Sequence, residues 1–369
     1  MNKDSIVNRF LNYVKIDSPS LFEGDFAQVI KKDLEELGFE VVFDQSQEKT
    51  GSNTGNLIAR LEGREDIEPI MFSAHLDTVQ PGEGIEPVIK DGIISSQGET
   101  ILAGDDKSGI VAIIEGIKHI LDQELDHGDI EVLLTSCEEM GLRGSSNLDY
   151  SLIKSKLGLV LDGGGDVGAI FTSGPAQTQI DVLFKGRSAH AGLNPEDGIS
   201  AIQVAAAAID RMKLLRIDEE TTANVGFIEG GQATNIVADR ARARFECRSL
   251  DEAKLEAQGQ DLIAAINSAC QDYGASSEIE VIKKYPSFSI ARDHRIVRLV
   301  GSALDRMDIE PRILSTGGGS DTNIYSGQGI DSVILSTGME NVHTVDEYIK
   351  IDNLVDSARL VAEIISCHR

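Results

Sequence analysis

Five side chains that can bind a divalent metal stand at the ends of apolar runs, yet they lie far apart along the chain. In chain order they are His75, Asp105, Glu139, Asp162 and His343. No single helix or hairpin can gather residues this distant, whereas a sheet that collects several strand ends at one edge can. Histidine combined with carboxylate suits ions such as zinc. The sequence therefore predicts an α/β fold around a site for two divalent metals, an arrangement typical of hydrolases.

Composition limits the partners that such a fold can have. The chain has 369 residues, enough for two domains, and a formal net charge of −27. That charge argues against nucleic acid and anionic membrane as partners. The first residues lack the apolar core of a secretory signal, and no run approaches the roughly 20 apolar residues that span a bilayer. Four cysteines without paired spacing indicate neither a zinc knuckle nor a disulfide framework, so a cytoplasmic location is expected.

The first part of the chain alternates short apolar runs with helical patterns. Residues 69–74, 130–135 and 157–161 are strand-like, and residues 105–121 have helical periodicity with two aspartates at the start. Short apolar strands separated by helices predict a mixed, mostly parallel sheet flanked by helices. The acidic residues that follow these strands would then meet at one edge of the sheet.

A different pattern occupies the middle of the chain. Residues 175–286 follow the order β-α-β-β-α-β, and the first of these strands alternates polar with apolar residues. This order predicts a small α+β, ferredoxin-like domain. The α/β pattern then resumes, ending in a helix at 352–366. We therefore predict a catalytic domain made of residues 1–174 and 287–369, with residues 175–286 inserted as a second domain.

Each motif also has a plain structural interpretation when it is taken alone. In the triplet His75-Leu76-Asp77 the carboxylate can orient a metal-bound imidazole, but such triplets also occur on surfaces and in cores. Asp105 opens a helix, where an aspartate also serves as a cap. Glu138 and Glu139 would repel each other if buried without a cation, although a solvated acidic loop is the alternative. The joint pattern, rather than any one motif, indicates a metal site.

Seven segments, in order across nearly the whole chain, match the motifs of one enzyme family. They are SAHLDTV (73–79), AGDDKSG (103–109), CEEMGLRGS (137–145), LDGGG (161–165), GRSAHAG (186–192), GGGSDTN (317–323) and HTVDEYI (343–349). With these segments the sequence resembles the superfamily of metallo-aminopeptidases and carboxypeptidases, and most closely its peptidase T-like branch. The resemblance implies a zinc aminopeptidase-like catalytic domain that carries an inserted lid.

The resemblance also implies which residues bind the metals. His75 and Asp162 would bind one zinc ion. Glu139 and His343 would bind the other, and Asp105 would bridge the two. Cobalt or manganese can occupy sites of this composition as well.

Further roles follow from the same resemblance. Asp77 would orient His75, and Glu138 would act as the general base on a water that the metals activate. His190, in the lid, would stabilise the oxyanion, although a histidine between small residues is often only structural. Residues expected to face the substrate are Asn235, Arg248, Gly318, Gly319 and Asp321.

The expected activity is hydrolysis of amide bonds in small peptides by a two-zinc aminopeptidase, in particular a tripeptidase. An N-acyl-amino-acid amidohydrolase and a dipeptidase remain alternatives on the same scaffold, because substrate choice depends on a few side chains of the lid and loops. A binding protein without catalysis is a further alternative, and the intact Glu138 argues against it. The expected partners are a small peptide substrate and a second copy of the chain, joined through the lid.

Overall fold

The computed structural model describes residues 1–369. The chain forms two compact units, one made of Met1–Ser173 with Ser289–Arg369 and the other of Gly174–Phe288. None of the helices combines the length and the apolar composition that a membrane span requires.

Helices and strands alternate through most of the chain. The helices are α1 (Lys3–Tyr13), α2 (Gly24–Glu36), α3 (Gln47–Thr50), α4 (Gly104–Asp122), α5 (Arg143–Ser146), α6 (Ala201–Asp210), α7 (Glu252–Tyr273), α8 (Arg295–Arg306), α9 (Asp321–Gly327) and α10 (Ile351–Cys367). The strands are β1 (Glu40–Phe43), β2 (Leu57–Leu61), β3 (Ile70–His75), β4 (Pro87–Lys90), β5 (Ile93–Ser96), β6 (Ile130–Thr135), β7 (Leu157–Gly164), β8 (Ala169–Gly174), β9 (Ala176–Lys185), β10 (Leu215–Arg216), β11 (Thr221–Gly230), β12 (Arg240–Ser249), β13 (Ser276–Tyr285), β14 (Phe288–Ser289), β15 (Arg312–Ser315), β16 (Asp331–Glu340) and β17 (Tyr348–Lys350).

The first unit contains a 12-stranded mixed sheet whose main path runs β1-β2-β6-β3-β7-β16-β17-β5-β4. The central strands β6, β3, β7 and β16 are parallel. The pairs at both margins are antiparallel, β1 with β2 on one side and β17, β5 and β4 on the other. A mixed α/β sheet is thus confirmed, with its parallel ladder at the centre, where the strands carry continuous apolar runs.

Helix α4 connects this sheet to the site. It packs against β3, β7 and β16, and α10 packs beside it. Residues 104–117 of α4 are all buried, which is expected of a helix that has apolar neighbours on every side. Because the helix is fixed all round, the bend at its start, where Asp105 has the non-helical φ −82° and ψ 102°, holds that residue in a defined position beside the strand ends.

The second unit is a five-stranded antiparallel sheet in the order β10-β11-β12-β9-β13. Strand β9 alternates strictly between buried and half-buried residues, and α6 and α7 pack against the sheet. Its core joins Ile180 and Phe184 of β9 to the alanines of α6 and to Ile266 of α7. The predicted β-α-β-β-α-β order is present, with the two-residue strand β10 added before β11.

Candidate metal centre

The five predicted metal ligands come together at the carboxyl edge of the parallel strands. His75 is the last residue of β3, and Asp162 lies near the end of β7 beside it. Glu139 follows β6, the other neighbour of β3. Asp105 stands in the first turn of α4, and His343 lies in the loop after β16. The shared edge of the sheet therefore brings distant residues to one point, as the sequence predicts.

Asp105 lies at the middle of this group and uses its two oxygens differently. Its Oδ1 is 3.0 Å from His75 Nε2, and its Oδ2 is 3.2 Å from His343 Nε2. Asp162 Oδ1 lies 3.8 Å from His75 Nε2, and Glu139 Oε1 lies 2.8 Å from His343 Nε2. The result is two histidine-carboxylate groups that share Asp105, one on each side.

The donor set fits divalent metal ions. Ligand atoms of His75, Asp105 and Asp162 lie within 4.8 Å of one another, and so do those of Asp105, Glu139 and His343. Ligands about 2.1 Å from a tetrahedral zinc ion stand roughly 3.4 Å apart, which is within this range. Two imidazoles and three carboxylates also match the donors that zinc prefers.

Burial and mutual proximity shift the pKa values of the clustered side chains. Burial, followed by the neighbouring carboxylates, raises the pKa of Glu138 and of Asp162 well above the usual value. Hydrogen bonds from His343 to Asp105 and Glu139 raise the pKa of that imidazole to about 10. Burial alone would raise the pKa of Asp105, but the two histidines outweigh it and lower the pKa. The acids therefore crowd together at a cost that bound cations would remove.

Asp77 acts on the site differently from the sequence expectation. His75 Nδ1 donates to the backbone carbonyl of Asp77 at 2.8 Å, whereas the nearer carboxylate oxygen is 3.6 Å away. The carboxylate accepts the backbone N–H groups of Glu138 at 2.9 Å and Glu139 at 3.2 Å, and the Ser20 hydroxyl at 2.6 Å. Asp77 thus orients His75 mainly through its main chain, while its side chain fixes the loop that carries both glutamates.

The sequence did not single out Glu347, although it lies in a matched motif. Its buried carboxylate accepts the N–H groups of Leu102 at 2.8 Å, Ala103 at 2.9 Å and Asp105 at 3.0 Å. Burial raises its pKa to about 7. Glu347 therefore ties the His343 loop to the turn that presents Asp105, and the acidic residue within HTVDEYI was the signal for it.

A cavity of about 180 Å³ opens beside these ligands. Besides the metal-type residues, its lining includes Gly319 and Ser320, together with the apolar side chains of Phe171 and Met339. Ser320 also donates to Asp162 Oδ2 at 3.3 Å. One wall of the cavity is thus apolar and adjoins the candidate metal ligands.

Two predicted substrate-loop residues do not line this cavity. Gly318 stands between the lining residues Thr316 and Gly319 but is not itself part of the lining. Asp321 is only 2% exposed, and its carboxylate accepts the hydroxyls of Thr135 and Ser145, each at 2.5 Å. Asp321 begins α9, and its buried side chain faces Thr135 and Ser145 rather than the cavity.

The lid candidates fall into two places within the second unit. The Ala191 N–H donates to the Asn235 carbonyl at 2.9 Å, which holds His190 and Asn235 on adjoining exposed segments. Gly192 N–H donates to His190 Nδ1 at 3.1 Å, so the neutral ring carries its proton on Nε2, as a donor. Arg248 lies near the C-terminal end of β12 and pairs there with Glu246. It is eight residues, or about 26 Å, from Arg240 at the start of the same strand. Within this unit, Arg248 is therefore remote from the other two.

Family models match two parts of the chain. A peptidase dimerisation domain, M20_dimer, matches residues 173–274, which cover most of the second unit. Peptidase family M28 matches residues 56–193, a range that includes His75, Asp105, Glu139 and Asp162.

Individual proteins match the chain from end to end. The Bacillus subtilis protein YqjE, described as uncharacterized, is 40% identical over 99% of this chain and 98% of its own length. The crystal structure of aminopeptidase PepT from Bacillus cereus superposes with a TM-score of 0.91 at 40% identity, covering 100% of this chain and 99% of that one. A tripeptidase from Staphylococcus aureus superposes with a TM-score of 0.95 at 35% identity, covering 99% and 98%.

Proposed function

Because the chain belongs to the peptidase T-like family of M20 peptidases, we propose that it is a two-metal aminopeptidase acting on small peptides, in particular tripeptides. The observation that carries this proposal is the position of Asp105, whose two oxygens face two different histidines at 3.0 and 3.2 Å. A carboxylate so placed suits a bridge between two ions. Zinc is the proposed metal because the donors are imidazole and carboxylate.

The distances between histidine and carboxylate atoms separate the proposed ligands into two groups. His75 and Asp162 would hold one ion, while Glu139 and His343 would hold the other. When bound, the two ions supply Lewis-acid polarisation of the scissile carbonyl and activation of water. The protein itself supplies the fixed positions of these ligands and the transfer of the proton.

Glu138 is the proposed general base. It is 8% exposed and lines the cavity beside the five proposed ligands, so its carboxylate is placed to accept a proton from water. The same carboxyl group would return that proton to the leaving amine. His190 is the proposed donor to the oxyanion, and the Nε2–H that its hydrogen bond with Gly192 requires supports this role.

The division of the chain gives the two units distinct proposed tasks. Met1–Ser173 with Ser289–Arg369 would form the catalytic domain, and Gly174–Phe288 would form the lid. The match of the second unit to a peptidase dimerisation domain supports a homodimer joined through it. Asn235 and Gly319 are the proposed substrate contacts, whereas Arg248 lies too far from Asn235 within the second unit for one small peptide to touch both. A cytoplasmic location is part of the same proposal.

The decisive experiment compares three substrates on enzyme of measured metal content. These are trialanine, N-acetyl-trialanine and N-acetyl-alanine. An aminopeptidase releases free alanine from trialanine and leaves both acetylated compounds intact, because it requires the free amine. Turnover of N-acetyl-alanine with trialanine inert would instead establish an N-acyl-amino-acid amidohydrolase and overturn the proposal.

A further inference from the structure

Glu23 is a buried carboxylate whose position its own helix does not explain. It stands at the N-terminus of α2, yet its side chain makes no capping hydrogen bond to that helix. It is 0% exposed and turns inward, where it accepts the Ser52 hydroxyl at 2.6 Å and the Leu21 N–H at 3.1 Å. Its remaining two contacts are both with Cys137, the residue directly before Glu138. Oε1 accepts the Cys137 N–H at 3.0 Å and the thiol at 3.2 Å.

Cys137 has a backbone conformation that requires support. Its φ is +52°, in the left-handed region that side chains with a β-carbon rarely adopt. This reversal lets the chain leave the end of β6 and direct the following two glutamates toward the cavity. Conformations of this kind persist only when the surrounding structure holds them in place. Glu23 accepts two hydrogen bonds from this residue.

The hydrogen bonds of Glu23 continue those of Asp77. Two buried carboxylates accept the backbone N–H groups of three successive residues, 137, 138 and 139. Glu23 accepts the first, and Asp77 accepts the next two. Ser20, three residues before Glu23, donates to Asp77 at 2.6 Å. Bonds from amides to a carboxylate are short and strong in a buried setting. One N-terminal segment, residues 20–23, thus supports both carboxylates.

We propose that Glu23 is a positioning residue, which holds the backbone at Cys137 so that Glu138 and Glu139 point at the metal site. It touches no substrate and no metal, and it acts through the loop. The proposal rests on the proposed function for its catalytic consequence, but its geometric consequence, the placement of Glu139 as a ligand, can be measured by metal binding alone.

The test compares Glu23→Ala with Glu23→Gln. Alanine removes every acceptor, and we expect kcat to fall about 10- to 100-fold with KM within about twofold. The affinity for one of two cobalt ions should fall about tenfold or more, with a changed visible spectrum of the cobalt enzyme. Glutamine keeps an acceptor oxygen for the Cys137 N–H and should restore both properties to within about threefold of wild type.

Glu131→Ala is the matched control. Glu131 is also a buried carboxylate on the first unit, 1% exposed, and it likewise accepts backbone N–H groups, those of Lys154 and Ser155. Its loss should lower stability without altering the cobalt spectrum or kcat. Equal catalytic and spectral loss in Glu131→Ala, or unchanged cobalt binding in Glu23→Ala, would overturn the proposal.

Two further results separate the positioning role of Glu23 from the proposed function and from a folding defect. If wild type cleaves no peptide but its cobalt binding depends on Glu23 as described, the proposed function fails and the positioning role stands. If Glu23→Ala does not fold, amide hydrogen exchange of the wild type decides the question. The Cys137 amide should then exchange as slowly as those of β6, although it lies beyond the strand, and rapid exchange would refute the role.

Discussion

Replacing Glu138 by glutamine tests the division of roles within the pair of adjacent glutamates. Glutamine has nearly the same shape, so the loop held by Asp77 should keep its position. The substitution removes the carboxylate that accepts a proton. The neighbouring carboxylates of Asp105, Glu139 and Asp162 are engaged as ligands in this account, so none of them can replace it. Water is a poor substitute, because Glu138 is only 8% exposed.

The expected loss is large and falls on kcat. A positioned general base contributes about 10²- to 10⁴-fold, which corresponds to roughly 2.7–5.4 kcal/mol of activation free energy. We expect Glu138→Gln to reach the upper part of that range, because the base acts in both the attack and the departure of the amine. KM should change little, since Glu138 is not assigned a role in binding the ground state.

The assay measures trialanine hydrolysis and metal content on the same preparations, with Glu139→Gln as the matched variant. The two substitutions are chemically identical and lie one residue apart. Glu138→Gln should retain two ions per chain and lose turnover, whereas Glu139→Gln should lose affinity for one ion. Glu138→Gln with turnover within tenfold of wild type, while fully loaded with metal, would refute the assignment of the base.

Three further predictions follow from particular contacts. Below about pH 10, an incoming ion must displace the proton of His343. The apparent metal affinity should therefore rise about tenfold per pH unit from pH 6 to 8 in metal-buffered titrations. A flat profile would contradict this prediction. Burial and the adjacent Glu23 carboxylate raise the pKa of Cys137 to about 12. Iodoacetamide at pH 8 should therefore label Cys367 much faster than the buried Cys137, which mass spectrometry of peptides can measure. Arg9→Leu removes a partly buried ion pair between Arg9 and Glu115. The substitution should lower the free energy of unfolding, measured in urea, by about 1–3 kcal/mol. An unchanged free energy of unfolding would contradict a stabilising pair.

The central part of the site could be predicted because local patterns encode it. Strand β3 ends at His75, the apolar run in β7 stops just before Asp162, and β6 ends four residues before Glu139. Parallel neighbours place such ends at one edge, so a local pattern was sufficient to indicate a shared site. Helix α7 (Glu252–Tyr273) likewise has local signals at both ends, because Asp251 caps its start and Gly274 ends it in the left-handed conformation.

Other features depend on contacts that no local pattern contains. Strand β16 extends to Glu340 although its apolar run stops at Leu335. Residues 336–339 are buried, and the Ser336 hydroxyl accepts the Ala169 N–H and donates to the Asp166 carbonyl. The contact between Glu23 and Cys137 spans 114 residues and ends on a backbone N–H, which has no signature in the sequence. Asp321 follows a glycine-rich loop in the sequence, but the start of α9 buries it.

Anomalous diffraction from crystals grown with zinc would show whether two ions share Asp105. We predict two peaks per chain, one in contact with His75 and Asp162 and the other with His343 and Glu139. Both peaks should contact Asp105, one through each carboxylate oxygen. A single peak, or two ions that do not share Asp105, would contradict the two-metal site and the mechanism built on it.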